Sequence, residues 1–105
     1  MIYLDYTANT PADPDVLDAY LAAERRYIAN PNSTHIAGQE ARAEMERVTQ
    51  SIAQHLGVQP AEIIYTSGAS EANNLALKGI AHASRHIGKH IISTPLEHSS
   101  VSGTL

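Results

Sequence analysis

Two short stretches of this chain carry residue types that could do chemistry together. Residues 66–70 (Thr-Ser-Gly-Ala-Ser) form a small-residue turn ahead of a helical pattern, and Glu97 and His98 form a second polar stretch. The start of a helix offers unpaired N–H groups and a partial positive charge, which suits a phosphate. An imidazole can stack on a planar ring or transfer a proton near neutral pH. These stretches therefore predict a phosphate site and a ring-stacking or acid–base histidine, His98.

The elements that would position both stretches are two strands and the helix between them. Residues 63–65 and 90–94 contain apolar, β-favouring side chains, and an apolar helical stripe follows residue 69 and ends near Ser84. A strand–helix–strand order predicts a parallel α/β sheet, in which ligands bind beyond the carboxyl ends of the strands. Two alternative interpretations stay open. The small residues could serve only to form a tight turn, and His98 could serve only to brace a loop.

The rest of the chain adds a short strand candidate and two helices. The strand covers residues 2–4, the first helix starts at Pro14 and ends near Asn30, and a long amphipathic helix covers residues 34–56. Apolar side chains at steps of three and four predict one buried face on each helix.

This pattern predicts two parts of a larger architecture. Residues 1–58 form a segment with two helices, and residues 59–105 begin a large α/β domain. Because two core strands do not make a parallel sheet, we expect an incomplete sheet that belongs to something larger.

The composition excludes several classes of function. The 105 residues are 43% hydrophobic and 17% charged, and the formal net charge of −4 argues against a nucleic-acid-binding surface. No apolar run has the length of a membrane span, and no secretory signal is present, so we expect a cytoplasmic protein. The absence of cysteine removes disulfides, thiolate metal sites and a cysteine nucleophile from these residues.

The other histidines and the lysines give weaker indications. His82 and His86 have a spacing that could suit a metal, but no third ligand matches them, so no metal site is predicted. His35 follows a turn and is either a helix-start residue or a site residue. Lys78 and Lys89 are the only lysines and are expected at the surface, so neither is assigned as a cofactor-binding lysine.

Several segments, in order and at family spacing, together resemble cysteine desulfurases. These enzymes belong to the class V aminotransferase group of pyridoxal-phosphate (PLP) enzymes, and the resemblance covers essentially the whole chain. It implies the α/β architecture of fold type I PLP-dependent transferases. The matching segments are residues 3–5 with 10–11, residues 30–33 with His35, residues 38–42, and residues 66–74 with 97–98.

The resemblance also implies roles for three residues. Ala69 and Ser70 match the pair that binds the PLP phosphate, although the family usually has threonine where this chain has Ser70. His98 matches the histidine that stacks on the pyridine ring and assists proton transfer. The implied reaction converts L-cysteine, or a related amino acid, to L-alanine and passes the sulfur on as an enzyme persulfide for iron–sulfur cluster biogenesis. A homodimer and a sulfur-acceptor protein are the implied partners.

Two departures from the family pattern leave the function open. Residues 5–11 read Asp-Tyr-Thr-Ala-Asn-Thr-Pro, where the family usually has Asp-Asn-Ala-Ala-Thr-Thr-Pro, so the substrate is open. The family's cofactor-binding lysine, its aspartate partner for the pyridine nitrogen and its persulfide cysteine are not in this chain, which alone is expected to be inactive. The alternatives are another class V aminotransferase, a selenocysteine lyase, or a non-catalytic remnant that binds a partner through exposed apolar helix faces.

Overall fold

A computed structural model describes all 105 residues, which form four α-helices, one 3₁₀ turn and no strand. The residues group into two compact units, Met1–Ile63 and Ile64–Leu105. The predicted domain division after residue 58 stays a prediction. The elements in chain order are α1 (Pro14–Arg26), α2 (Ile36–Leu56), the 3₁₀ turn (Pro60–Glu62), α3 (Ala69–Ala83) and α4 (Ser99–Ser102).

Helix α1 begins where the sequence predicts and ends earlier. The Asp13 side chain accepts a hydrogen bond from the Asp15 N–H at 2.9 Å, and Pro14 occupies the first helical position, where its missing N–H costs nothing. The helix ends at Arg26 and not near Asn30, because the next residue turns to φ −107° and ψ 65°. The predicted start is confirmed, and the predicted end is wrong.

Helix α2 is capped at both ends by side-chain and backbone geometry. His35 accepts the Gly38 N–H on its Nδ1 at 3.2 Å, so the helix begins at Ile36. Gly57 follows the last turn with φ 69°, the left-handed conformation that favours glycine just past a helix end. His35 is therefore a helix-start residue. Although α2 is the longest helix, neither it nor any other helix combines the length and apolar character that crossing a membrane requires.

The polar turn at residues 30–33 packs against the first half of α2 and is hydrogen-bonded to it. The Ser33 N–H donates to the Asn30 carbonyl at 2.9 Å, and the Arg42 Nε donates to the Pro31 carbonyl at 2.9 Å. The turn approaches so closely that a Cβ atom on Gly38 would lie 2.6 Å from the Ser33 carbonyl oxygen and 2.8 Å from the Asn30 carbonyl oxygen. Only glycine fits this helix position without a shift of the backbone.

Replacing Gly38 with alanine should therefore destabilise the protein. The added methyl group would meet two backbone carbonyls, and overpacking of this kind costs about 1–3 kcal/mol of unfolding free energy. Urea unfolding of the Gly38→Ala and Glu40→Ala variants gives the comparison, since Glu40 is an exposed residue of the same helix. The Glu40→Ala variant should stay within about 0.5 kcal/mol of the original protein. An equally small effect of Gly38→Ala would refute the close contact.

The predicted strands are not formed, so the expectation of an incomplete sheet is not confirmed. Residues 2–4, 63–65 and 90–94 carry no strand hydrogen bonds, although Ile63 has the extended values φ −86° and ψ 121°. The hydrogen bonds of a β-strand are made to neighbouring strands, so an extended segment without a neighbour forms no ladder. The sequence indicated the local conformation of Ile63 and not the pairing.

The apolar helix faces that the sequence predicts to be buried are largely exposed. Only Ala41 and Ala53 are buried hydrophobic residues, while Tyr20 of α1 is 62% exposed. The accessible surface is 9217 Å², against about 5,700 Å² for a globular chain of this mass. Each unit is thus held by short-range hydrogen bonds and by contacts of α2 with the 3₁₀ turn and of α3 with α4. The prediction of buried helix faces is wrong for the isolated chain.

Candidate functional site

The start of α3 presents its first N–H groups without a side-chain cap. Ala69 and Ser70 are the first two residues of the helix, and the N-cap residue, Gly68, makes no side-chain capping hydrogen bond. Gly68 precedes them in an extended conformation, with φ 162° and ψ −178°. The first-turn N–H groups, which have no acceptor within the helix, remain available to a ligand.

The Glu71 carboxylate, beside this helix start, accepts hydrogen bonds from Ser67. The Oε2 atom of Glu71 accepts hydrogen bonds from both the hydroxyl and the N–H of Ser67, each at 2.7 Å. These hydrogen bonds, that of the hydroxyl first, lower the pKa of the Glu71 carboxyl below its ordinary value. Glu71 is therefore ionised at neutral pH and bound to Ser67. This contact is not among the predictions from the sequence, although a Glu at the third helix position is its sequence signal.

His98 caps the short helix α4 and keeps its ring exposed. Its Nδ1 accepts the Ser100 N–H at 3.1 Å and lies 2.9 Å from the Ser100 hydroxyl oxygen. The side chain as a whole is exposed. The imidazole is thus anchored through one nitrogen, Nδ1, in a residue that is exposed as a whole.

A buried serine connects α3 to the His98 loop. Ser100 is only 8% exposed, and its hydroxyl oxygen accepts a hydrogen bond from Asn73 Nδ2 at 2.8 Å. Because Asn73 lies in α3 shortly after Ser70, the structure links the two stretches that the sequence predicts to face one ligand. Asn73 and Ser100 are not predicted as a pair from the sequence, since they are 27 positions apart. No local spacing could have revealed this contact.

Both lysines lie at the surface, as predicted. Lys78 is exposed and donates from Nζ to the Asn74 side-chain oxygen at 2.7 Å, and Lys89 is also exposed. A lysine that binds a carbonyl covalently needs a desolvated amine, which neither of these side chains has. The structure therefore gives no reason to assign the cofactor-binding role to either lysine.

The pair His82 and His86 does not form part of a larger ligand cluster. His82 Nε2 lies 3.4 Å from an Arg85 guanidinium nitrogen, and His86 is exposed. The chain contains no group of three or more His, Cys, Asp or Glu side chains arranged to hold a metal ion. A cationic neighbour makes the position of His82 unfavourable for a divalent cation.

Comparison with known proteins identifies the family. Residues 2–104 match the family model described as aminotransferase class-V. The chain belongs to this family. The resemblance predicted from the ordered sequence segments is thereby confirmed.

Relatives within this family carry the name cysteine desulfurase. The human cysteine desulfurase is 50% identical over 101 residues, which are 95% of this chain and 22% of that protein. The cysteine desulfurase IscS of Dictyoglomus turgidum is 42% identical over 100 residues, covering 95% of this chain and 25% of that protein. A solved NifS-like protein is 40% identical with a TM-score of 0.80, and the match covers 92% of this chain and 27% of that one. The chain thus spans about a quarter of the length of the proteins that it matches.

The similarity to the NifS-like structure also bears on the predicted architecture. A TM-score of 0.80 at 40% identity shows that this class-V chain shares the backbone arrangement of that protein over 92% of its own length. The expected likeness to PLP-dependent transferases of fold type I is supported at this level, and the expected strands are not.

Proposed function

We propose that this chain carries the phosphate-binding turn and the ring-stacking histidine of a PLP-dependent cysteine desulfurase. The full-length enzyme would convert L-cysteine to L-alanine and pass the sulfur on as an enzyme persulfide. One observation carries the proposal: the uncapped start of α3, at Ala69 and Ser70, is linked by hydrogen bonds through Asn73 and Ser100 to an exposed His98. The 50% identity to human cysteine desulfurase supports the choice of reaction.

The residues at the start of α3 fit a phosphate. The N–H groups of Ala69 and Ser70 and the Ser70 hydroxyl are donors, and the helix end adds a partial positive charge. Hydrogen bonds to a charged oxygen are stronger than those between neutral groups, which favours retention of a dianionic phosphate. Since the Glu71 carboxylate is bound to Ser67, it does not compete for these donors.

His98 fits a planar aromatic ring. Its exposed imidazole can stack on a pyridine ring, and its free nitrogen can hold or deliver a proton at the reacting atoms. PLP, when bound, supplies the electron sink for cleavage of bonds at the substrate's α-carbon or β-carbon. The lysine that binds the cofactor, the partner of the pyridine nitrogen and the persulfide cysteine would come from outside these residues. The homodimer, the sulfur-acceptor protein and the cytoplasmic location stay predictions.

Replacing Ser70 with alanine in the full-length enzyme tests the phosphate role. We expect PLP affinity to fall about fivefold or more, the effect of losing one hydrogen bond of roughly 1 kcal/mol or somewhat more. Equilibrium binding followed by the cofactor's absorbance measures the change. Ser102→Ala is the matched control, because Ser102 is an exposed serine of α4 outside the proposed phosphate site. Unchanged affinity in Ser70→Ala would contradict the assignment.

A second candidate keeps the cofactor and changes the substrate. The altered segment at residues 5–11 folds into a tight turn in which the Tyr3 hydroxyl donates to the carbonyls of Asp5 and Asn9, each at 3.0 Å. The Thr10 hydroxyl donates to the Tyr6 carbonyl at 2.8 Å. Because this turn differs from the usual family sequence, a related amino acid such as selenocysteine is the alternative substrate. Comparing kcat/KM for cysteine and selenocysteine in the full-length enzyme decides between the two.

A further inference from the structure

The hydrogen bonds around His98 determine which of its ring nitrogens carries the proton. The backbone N–H of Ser100 donates to Nδ1 at 3.1 Å. A backbone N–H can only donate, so Nδ1 must present its lone pair to it. A neutral imidazole has one protonated and one unprotonated nitrogen, and its proton is therefore on Nε2.

The hydroxyl group of Ser100 also donates its proton to Nδ1 of His98. Its oxygen lies 2.9 Å from Nδ1 and accepts a hydrogen bond from Asn73 Nδ2 at 2.8 Å. With that donor directed at the oxygen and an unprotonated Nδ1 beside it, the hydroxyl proton goes to Nδ1. Since Ser100 is 8% exposed, water has little access to replace either bond. The chain of donors runs from Asn73 through Ser100 to His98.

We propose that Asn73 and Ser100 are positioning residues that hold His98 in its Nε2–H form. Nδ1 is then committed to the protein, and Nε2 is the single nitrogen through which His98 donates to an acceptor on substrate or cofactor. This inference rests on the proposed role of His98, but the protonation pattern is a property of the protein alone. It can be measured before any cofactor is added.

The test uses the imidazole nitrogen resonances of the full-length protein labelled with ¹⁵N-histidine, in the absence of PLP. The His98 signals are assigned by their loss in His98→Gln. We expect a protonated Nε2 and an unprotonated Nδ1. In Ser100→Ala the ratio of Nε2–H to Nδ1–H forms should fall roughly fivefold, the factor of one ordinary hydrogen bond. Ser100→Thr keeps a hydroxyl and should restore the ratio, and Ser99→Ala should leave it unchanged.

Asn73→Asp provides an independent variant. A carboxylate only accepts, so it would draw the Ser100 hydroxyl proton away from Nδ1, and the same ratio should fall. A dominant Nδ1–H form in the original protein, or an unchanged ratio in both Ser100→Ala and Asn73→Asp, would overturn the inference. PLP affinity measured on the same samples separates the two claims. Normal PLP binding with a wrong tautomer overturns only this inference, and absent PLP binding with the expected tautomer overturns only the proposed function.

Discussion

Replacing His98 with alanine in the full-length enzyme is expected to lower kcat for L-cysteine desulfuration by roughly 10²- to 10⁴-fold. This is the range that a positioned general acid or base contributes. The structure places His98 at an exposed position, anchored through Nδ1 by Ser100, so Nε2, the nitrogen that carries the proton, is the one that can donate to a ligand. Alanine and sulfide formed at saturating cysteine measure kcat directly.

The control for this variant is another exposed histidine. His86 follows α3, has an exposed side chain and takes no part in the hydrogen bonds around Ser100. His86→Ala should leave kcat unchanged. If the His98→Ala enzyme binds PLP normally and retains the kcat of the original enzyme, His98 has no catalytic role and the assignment fails.

The second large effect is expected from Ala69→Pro, which deletes a single N–H donor. Proline is well tolerated at the first position of a helix, and Gly68 before it is extended, not in the helical conformation that a following proline disfavours. The helix should therefore form as before. Losing one hydrogen bond to a charged phosphate oxygen should weaken PLP binding by about 10- to 100-fold.

Ala69→Ser is the matched control for the proline variant. Serine alters the side chain at the same position and keeps the N–H, so PLP affinity should stay close to that of the original enzyme. Circular dichroism of both variants shows whether helix content is preserved. PLP binding of Ala69→Pro at the original affinity would mean that the first N–H of α3 does not contact the phosphate.

The elements that the sequence predicts correctly are those defined by local contacts. The Asp13 cap and the left-handed Gly57 lie within one turn of the helix ends that they define. The start of α3 at Ala69 likewise follows from a small-residue turn next to an apolar helical stripe. Strands fail as predictions for the opposite reason: Ile63 is extended, but a strand needs a partner that local sequence does not specify.

The candidate site shows the same division. Ala69, Ser70 and His98 are predicted from sequence segments and a family resemblance, and their contact with PLP stays a proposal. Asn73 and Ser100 are missed because their contact depends on how α3 packs against α4. Side chains that position a reacting residue are thus harder to find in one sequence than the residue itself.

The exposed apolar helix faces allow a test of one alternative, a non-catalytic interaction module. Val16, on the apolar face of α1, is 61% exposed. Exposed apolar faces of this kind are typical of surfaces that bind another polypeptide segment. The chain spans only 22% to 27% of the related proteins described above. The hypothesis that these residues serve as a non-catalytic interaction module predicts partner binding without PLP binding.

The most direct test of the central claim compares PLP with pyridoxal, which lacks the phosphate, on the original full-length enzyme and on Ala69→Pro. If the start of α3 holds the phosphate, the proline substitution weakens PLP binding by about 10-fold or more and leaves the affinity for pyridoxal unchanged. If both ligands lose affinity equally, or neither does, the phosphate lies elsewhere and the proposed site is wrong.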